Sequence, residues 1–260
     1  MFSKAIKDLS GGIALSHVWI YQAYHEISSK YKRTMLGSLW ITGSMVFTSI
    51  SFAIVFGALF GQNLSDNLPR IMGGLIGFYL IGHILTEAPE VYMANSPIIR
   101  NHAYPFTYYS FEAVTRNFFV FLHNIVVLEL ILVIVQKWAI PHWSLLIGLP
   151  LVLFNMFTWG SLVSMLSARY RDLRFLLPYL SMPIQFMTPI MWTVDQLKGM
   201  KLLLVKLNPF YPFVEMIRSP MLGTSMPMEY WPMALVVTAA GALLWLVFFS
   251  LMRKRIAFWV

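Results

Sequence analysis

The chain has no cysteine among its 260 residues. That excludes disulfides, thiolate metal ligands and a cysteine nucleophile together. Charge is also scarce: Asp, Glu, Lys and Arg make up 12%, roughly half of what a soluble domain carries. The patterns G-x-x-x-x-G-K-[ST], H-E-x-x-H and G-x-S-x-G do not occur. No nucleotide cradle, zinc helix or nucleophile elbow is therefore encoded by those routes. The six histidines (17, 25, 83, 102, 123 and 142) show no ligand spacing. The first 34 residues lack a clean apolar core with a small-residue cleavage site, which predicts a retained N-terminus.

What is present is apolar surface: 58% of the residues are hydrophobic and 16% aromatic. In water a chain of this size needs a polar exterior that this composition cannot build. Lipid removes the conflict, so the fold class expected is an all-α polytopic membrane protein. A bilayer core takes a helix of about 20 apolar residues. Ile41–Phe60, Ser144–Ala168, Phe175–Val194 and Met233–Met252 reach that length without a charge. Ile71–Tyr92 and Asn117–Gln136 reach it with Glu87 and Glu90, or Glu129, inside. Six transmembrane helices follow, in one domain over 1–260 with no internal repeat. Residues 1–36 precede the first span, 37–194 hold spans one to five, 195–230 form an outer segment, and 231–260 hold span six and a tail.

The basic residues orient the bundle. With the N-terminus in the cytoplasm, the inner side receives Lys4, Lys7, Lys30, Lys32, Arg33, Arg100, Arg169, Arg171, Arg174, Arg253, Lys254 and Arg255. The outer side receives only Arg70, Lys137, Lys198, Lys201, Lys206 and Arg218. Both termini are expected in the cytoplasm. The net charge of +8 then reflects topology, and nucleic acid is not an expected partner. Two regions do not read as simple spans. Ile13–Arg33 mixes apolar and charged residues, as an amphipathic helix along the cytoplasmic interface does. Asp195–Tyr230 is apolar but broken at Pro209, Pro212 and Pro220, which predicts a re-entrant outer helical hairpin turning at Asn208–Pro212.

Four elements resemble a known family. Tyr31-Lys32-Arg33-Thr34-Met35-Leu36-Gly37-Ser38-Leu39-Trp40 resembles the Y-x-x-x-x-L-G-x-x-W lead-in to the first span of type-2 ABC exporter permeases. Ala168-Arg169-Tyr170-Arg171-Asp172-Leu173 is similar to their A-R-x-R-D-[LIV] turn between spans four and five. Thr188-Pro189-Ile190-Met191-Trp192 is similar to their [ST]-P-I-x-[WY] ending of span five, and Asn208-Pro209 with Glu215 and Arg218 to their outer N-P…R segment. The elements occur in the family's order over nearly the whole chain. Leu36–Met45 resembles the members that export O-antigen or capsular polysaccharide, although many of those carry Pro where this chain has Met45.

The resemblance implies a homodimer in the bacterial inner membrane, with two copies of a separate nucleotide-binding ATPase that holds ATP and magnesium. This chain would bind no cofactor or metal and would have no catalytic residue. The cargo implied is a lipid-linked glycan; the same family also exports teichoic acid, drugs and other lipids, and a membrane-embedded transferase is the alternative of a different class. Arg100, His102 and Tyr104 within Asn95–Tyr109, and Arg171 and Asp172, are the residues expected to touch the ATPase. Asp172 is equally read as a cap on the fifth span. Phe52 and Phe56 on span one, and Tyr179, Phe186 and Trp192 on span five, are candidates for a substrate channel offering faces to sugar rings, with lipid contact or packing as the alternative. Lys30, Lys32 and Arg33 would accept a lipid-linked phosphate, or anchor the chain against anionic membrane lipids. Glu112 and Arg116, four apart, should pair; Glu129 finds no partner in the sequence.

Overall fold

The computed structural model describes residues 2–32, 34–37, 39–196, 199 and 202–260. Among them every regular element is helical. In chain order these are α1 (Phe2–Ala14), α2 (Ser16–Tyr31), α3 (Leu39–Phe60), α4 (Leu64–Thr86), α5 (Val91–Ala94), α6 (Ser96–Asn101), α7 (Phe106–Ile134), α8 (Leu145–Arg169), α9 (Leu173–Met187), α10 (Leu202–Lys206), α11 (Tyr211–Met221) and α12 (Trp231–Trp259). The stretches Leu39–Phe60, Leu64–Asn101, Phe106–Ile134, Leu145–Arg169 and Met228–Trp259 are long and apolar enough to cross a membrane. Each overlaps one of the expected spans, and Asn117–Gln136 and Ser144–Ala168 run one or two residues past the helices found.

The expected fifth span departs from this. Its helix α9 ends at Met187, after 15 residues, and so rises only about 22 Å against a hydrocarbon core of about 30 Å. Pro183 and Pro189 bracket the break, and proline cannot continue a helical hydrogen-bond ladder. The residues from Thr188 to Trp192, expected to be helical, leave the helix instead.

α4 is the buried axis of the bundle, and glycines set how closely its neighbours approach. A Cβ added at Gly77 of α4 would lie 3.0 Å from the Val214 carbonyl, and one at Gly148 of α8 would lie 2.8 Å from the Met216 carbonyl. Val214 and Met216 belong to α11, so this short helix packs backbone to backbone against both long ones. The Gly73–Gly77 pair thus serves intrachain packing. Gly148→Ala is expected to destabilise the fold by about 1–3 kcal/mol, because the clash is with main chain that cannot swing away. Gly43→Ala has open space around it and should be neutral or slightly stabilising by helix propensity. Thermal unfolding of the two variants in the same detergent checks the contrast.

The two irregular regions are helical but differ in detail from expectation. The N-terminal interface region is two helices that meet at Leu15, and the first begins at Phe2 rather than near Ile13. On α1, Phe2, Ile6 and Ile13 form an exposed stripe while Ala5, Asp8 and Gly12 are buried. Near the C-terminal side, α10 and α11 are joined through Leu207–Phe210, and Pro212 starts α11 instead of making the turn. Lys198 and Lys201, assigned to this segment from the sequence, lie outside the described residues.

Candidate functional site

Both termini lie at one end of the bundle, and buried polar contacts tie that end together. Asp8 of α1 accepts from the Thr107 amide at 3.1 Å and lies 3.3 Å from Arg253 Nη1 of α12. Arg253 also donates to the Lys4 carbonyl, and Arg100 Nε donates to the Val260 carbonyl at 3.1 Å. Arg169 sits 5.9 Å from the rings of both Tyr170 and Trp259. The exposed residues Arg100, His102, Tyr104, Arg171 and Asp172 are all carried at this end. Tyr104 stands between two rings, with His102 at 5.8 Å and Tyr108 at 5.1 Å, both stacked.

Part of Asn95–Tyr109 nevertheless folds inward: Ile99, Thr107, Tyr108 and Tyr109 are buried. The reason is local: Pro105 precedes α7, and the aromatic run behind it opens that helix facing Tyr92. Asp172 occupies the position before α9, yet its backbone is already helical and its carboxylate makes no capping bond. Capping in the form expected is therefore not made, and the carboxylate stays exposed.

One turn further into the bundle, Arg116 gathers three carboxylates. It lies 3.3 Å from Glu112, the pairing expected on α7, and also 2.8 Å from Glu26 of α2 and 3.0 Å from Glu87 at the end of α4. Asn117 Nδ2 donates to Glu87 at 2.9 Å and lies 2.9 Å from His83 Nδ1. Pro89 follows the end of α4 beside this cluster, and the Ala88 carbonyl there accepts from the Val91 amide and lies 2.6 Å from the Ser164 hydroxyl. The cluster lines a cavity of about 830 Å³ between α2, α3, α4 and α7, and Lys30 lines it too. Of the other residues expected to accept a phosphate, Lys32 is exposed just past α2, and Arg33 lies outside the described residues.

At the opposite end two arginines hold the backbone where α9 stops. Arg70 of α4 donates to the carbonyls of Ile190 at 3.3 Å and Trp192 at 3.2 Å. Arg218 of α11 donates to the Pro189 carbonyl at 2.7 Å and forms an ion pair with Glu215. Asn208 donates to the Thr188 hydroxyl at 2.8 Å. The T-P-I-x-W and N-P…R elements, far apart in sequence, are thus one unit in space. Trp192 is fixed by a 3.0 Å bond from its Nε1 to the Phe186 carbonyl. Tyr179 and Phe186 are exposed, while Phe52 and Phe56 half-bury against the core at 6.1 Å from one another. Glu129 accepts from Trp138 Nε1 at 2.9 Å.

Several of these partnerships carry no short-range signal. Glu26 and Asp8 are separated by 90 or more positions from the residues they bind, and only the contact itself reveals them. Arg70 was legible as a lone charge beside a span, a place where a partner is required. In comparison with known proteins, the family model described as ABC-2 type transporter matches residues 24–222. A search of curated proteins returned no match. The matched stretch runs from α2 to the end of α11, and includes the Arg116 cluster and the arginine-held break.

Proposed function

This chain belongs to the ABC-2 type transporter family, and on that premise we propose that it is the membrane subunit of an ATP-driven exporter of a lipid-linked polysaccharide, of the O-antigen or capsule type. It works as a homodimer in the bacterial inner membrane, with both termini cytoplasmic and two copies of an ATPase subunit beneath them. The family match over most of the chain carries the transport reading. The ATPase contact is supported by Arg100, His102, Tyr104, Arg171 and Asp172 being exposed at the end that holds both termini.

The cargo reading rests on residue likeness and on chemistry. Tyr179 is 80% exposed on a helix with no fully buried residue, so the α9 face has no partner within one chain. A second copy facing it would enclose aromatic rings, which stack on sugars in a way that tolerates a sliding polymer. Phe52, Phe56, Phe186 and Trp192 extend that lining in this reading. Lys30, Lys32 and Arg33 are in this reading the cations on which the lipid phosphate would dock before the glycan enters.

Co-purification from native membranes, followed by ATP hydrolysis on the isolated complex, tests this. A stoichiometric ATPase partner stimulated by lipid-linked glycan is expected. Stimulation by teichoic acid precursor, a drug or another lipid instead would keep the transporter and reassign its cargo. A chain that purifies alone and shows no nucleotide-dependent activity would overturn the proposal.

A further inference from the structure

The end that holds both termini carries a cavity of about 540 Å³ between α1, the residues leading into α7 and the last turns of α12. Lys4 and Lys7 of α1 and Arg253 of α12 line it, with His102, Tyr104 and Phe106 from around the junction of α6 and α7. α1 and α12 both lie outside residues 24–222, the stretch that the family model matches. Two of the three walls thus come from beyond that stretch.

The charge of this cavity is unbalanced. Among the described residues, the cations Lys4, Lys7 and Arg253 share it with a single carboxylate, that of Asp8, and Asp8 is already spent. It is 6% exposed, accepts from the Thr107 amide at 3.1 Å and the Thr107 hydroxyl at 3.0 Å, and pairs with Arg253 at 3.3 Å. The Thr107 amide sits in the first turn of α7, where no carbonyl of the same helix can accept from it, so Asp8 is a cap supplied by another helix. That leaves Lys4 and Lys7, both exposed and neither ion-paired among the described residues. They stand three apart on α1, where side chains are neighbours and like charges repel.

The rest of α1 fixes which way these lysines point. Phe2, Ile6 and Ile13 form its exposed apolar stripe, and at about 3.6 residues per turn both lysines lie about 100° or more around the helix from it. An amphipathic helix at an interface keeps such a stripe in lipid, which turns the lysine edge to the aqueous side. We propose that this cavity docks carboxylate side chains of the ATPase subunit, which enter between Lys4, Lys7 and Arg253 beside Tyr104. The inference rests on the transporter reading above and deepens it: α1 becomes a second docking element, and the partner must present an acidic surface to it. Opposed charges across an interface speed encounter and fix register, so the lysines orient the ATPase on the face where Tyr104 supplies contact area.

Carbodiimide cross-linking of the purified complex tests the chemistry, because the reagent joins an ammonium to a carboxylate only where the two meet. Mass spectrometry is expected to find Lys4 or Lys7 joined to an Asp or Glu of the ATPase. Lys4→Glu with Lys7→Glu should weaken association by about tenfold at unchanged thermal stability, since both side chains are exposed. The loss should shrink at about 1 M salt, where screening shortens to about 3 Å. Changing the cross-linked ATPase carboxylate to Lys should restore binding to this double variant and weaken binding to the unaltered chain. An unaltered chain that purifies with no ATPase would sink the transporter reading and this contact together. An ATPase bound equally by the unaltered chain and the double variant, or lysines cross-linked only within the chain, would overturn the contact and leave the transporter reading standing. So would a double variant that holds the ATPase normally but retains less anionic lipid, because the lysines would then belong to headgroups.

Discussion

Arg218→Met is expected to lower the stability of the folded chain by about 3–5 kcal/mol, the usual cost of stripping one partner from a buried ion pair. Arg218 and Glu215 are both buried, and removing the guanidinium leaves the Glu215 carboxylate with only the neutral Ser219 and Tyr211 hydroxyls as partners and no counter-charge in contact. It also strips the Pro189 carbonyl of its donor, at the point where α9 breaks and the backbone has no helix to bond to. Two penalties therefore fall on one substitution. Arg218→Lys should be intermediate, because a single ammonium cannot fork to Glu215 and Pro189 as a guanidinium does. The double variant Glu215→Gln with Arg218→Met should recover part of the loss, since no unpaired charge remains buried. Unfolding in mixed detergent micelles, compared across the three variants, reads the order. A single Arg218→Met as stable as wild type would mean that water reaches the pair.

The long spans were legible because each is a run of apolar residues bounded by charge or proline, and lipid demands that every backbone group inside be bonded. The same rule failed for the fifth span. Phe175–Val194 has no charge, so composition alone extends the helix through it. Pro183 and Pro189 lie six positions apart, and the helix stops between them because Arg70 and Arg218 offer its carbonyls other donors. Without those two partners, which come from distant helices, the break would leave polar backbone unpaired in an apolar place. A local reading of the span cannot see them.

The candidate site divides along the same line. Arg116 with Glu112 is a spacing of four, visible in any helical wheel, and the structure keeps it. Glu26 and Glu87 join through the packing of α2 and α4 on α7, and no pattern in the sequence announces that. Tyr108 and Tyr109 carry no such signal either. They share Asn95–Tyr109 with the expected ATPase contacts, but the start of α7 turns both rings inward, Tyr109 against Tyr92 and Tyr108 against Tyr109. Tyrosine serves either role, as it has an apolar body and a polar tip, so its side of a helix is settled only by what lies opposite.

Tyr104 is the residue where that division matters most for function. It is 39% exposed and stacked between His102 and Tyr108, so the ring is held in place before any partner arrives. A rigid aromatic side chain loses little entropy on docking, and residues of this type dominate binding energy at protein interfaces. Under the proposed function, Tyr104→Ala should therefore weaken association with the ATPase subunit by about 2 kcal/mol or more, close to thirtyfold in affinity. Arg100 is a weaker probe, because its guanidinium already spans to the Val260 carbonyl and its loss would disturb the chain itself. Asp172→Asn separates the two exposed patches: its carboxylate makes no capping bond, so a fall in affinity would come from the interface alone. Co-purification yield and ATPase stimulation, measured with protein of unchanged thermal stability, give the comparison. If Tyr104→Ala binds the ATPase as tightly as wild type, the face carrying α6 is not the docking surface, and the partner must sit elsewhere on the end that holds the termini.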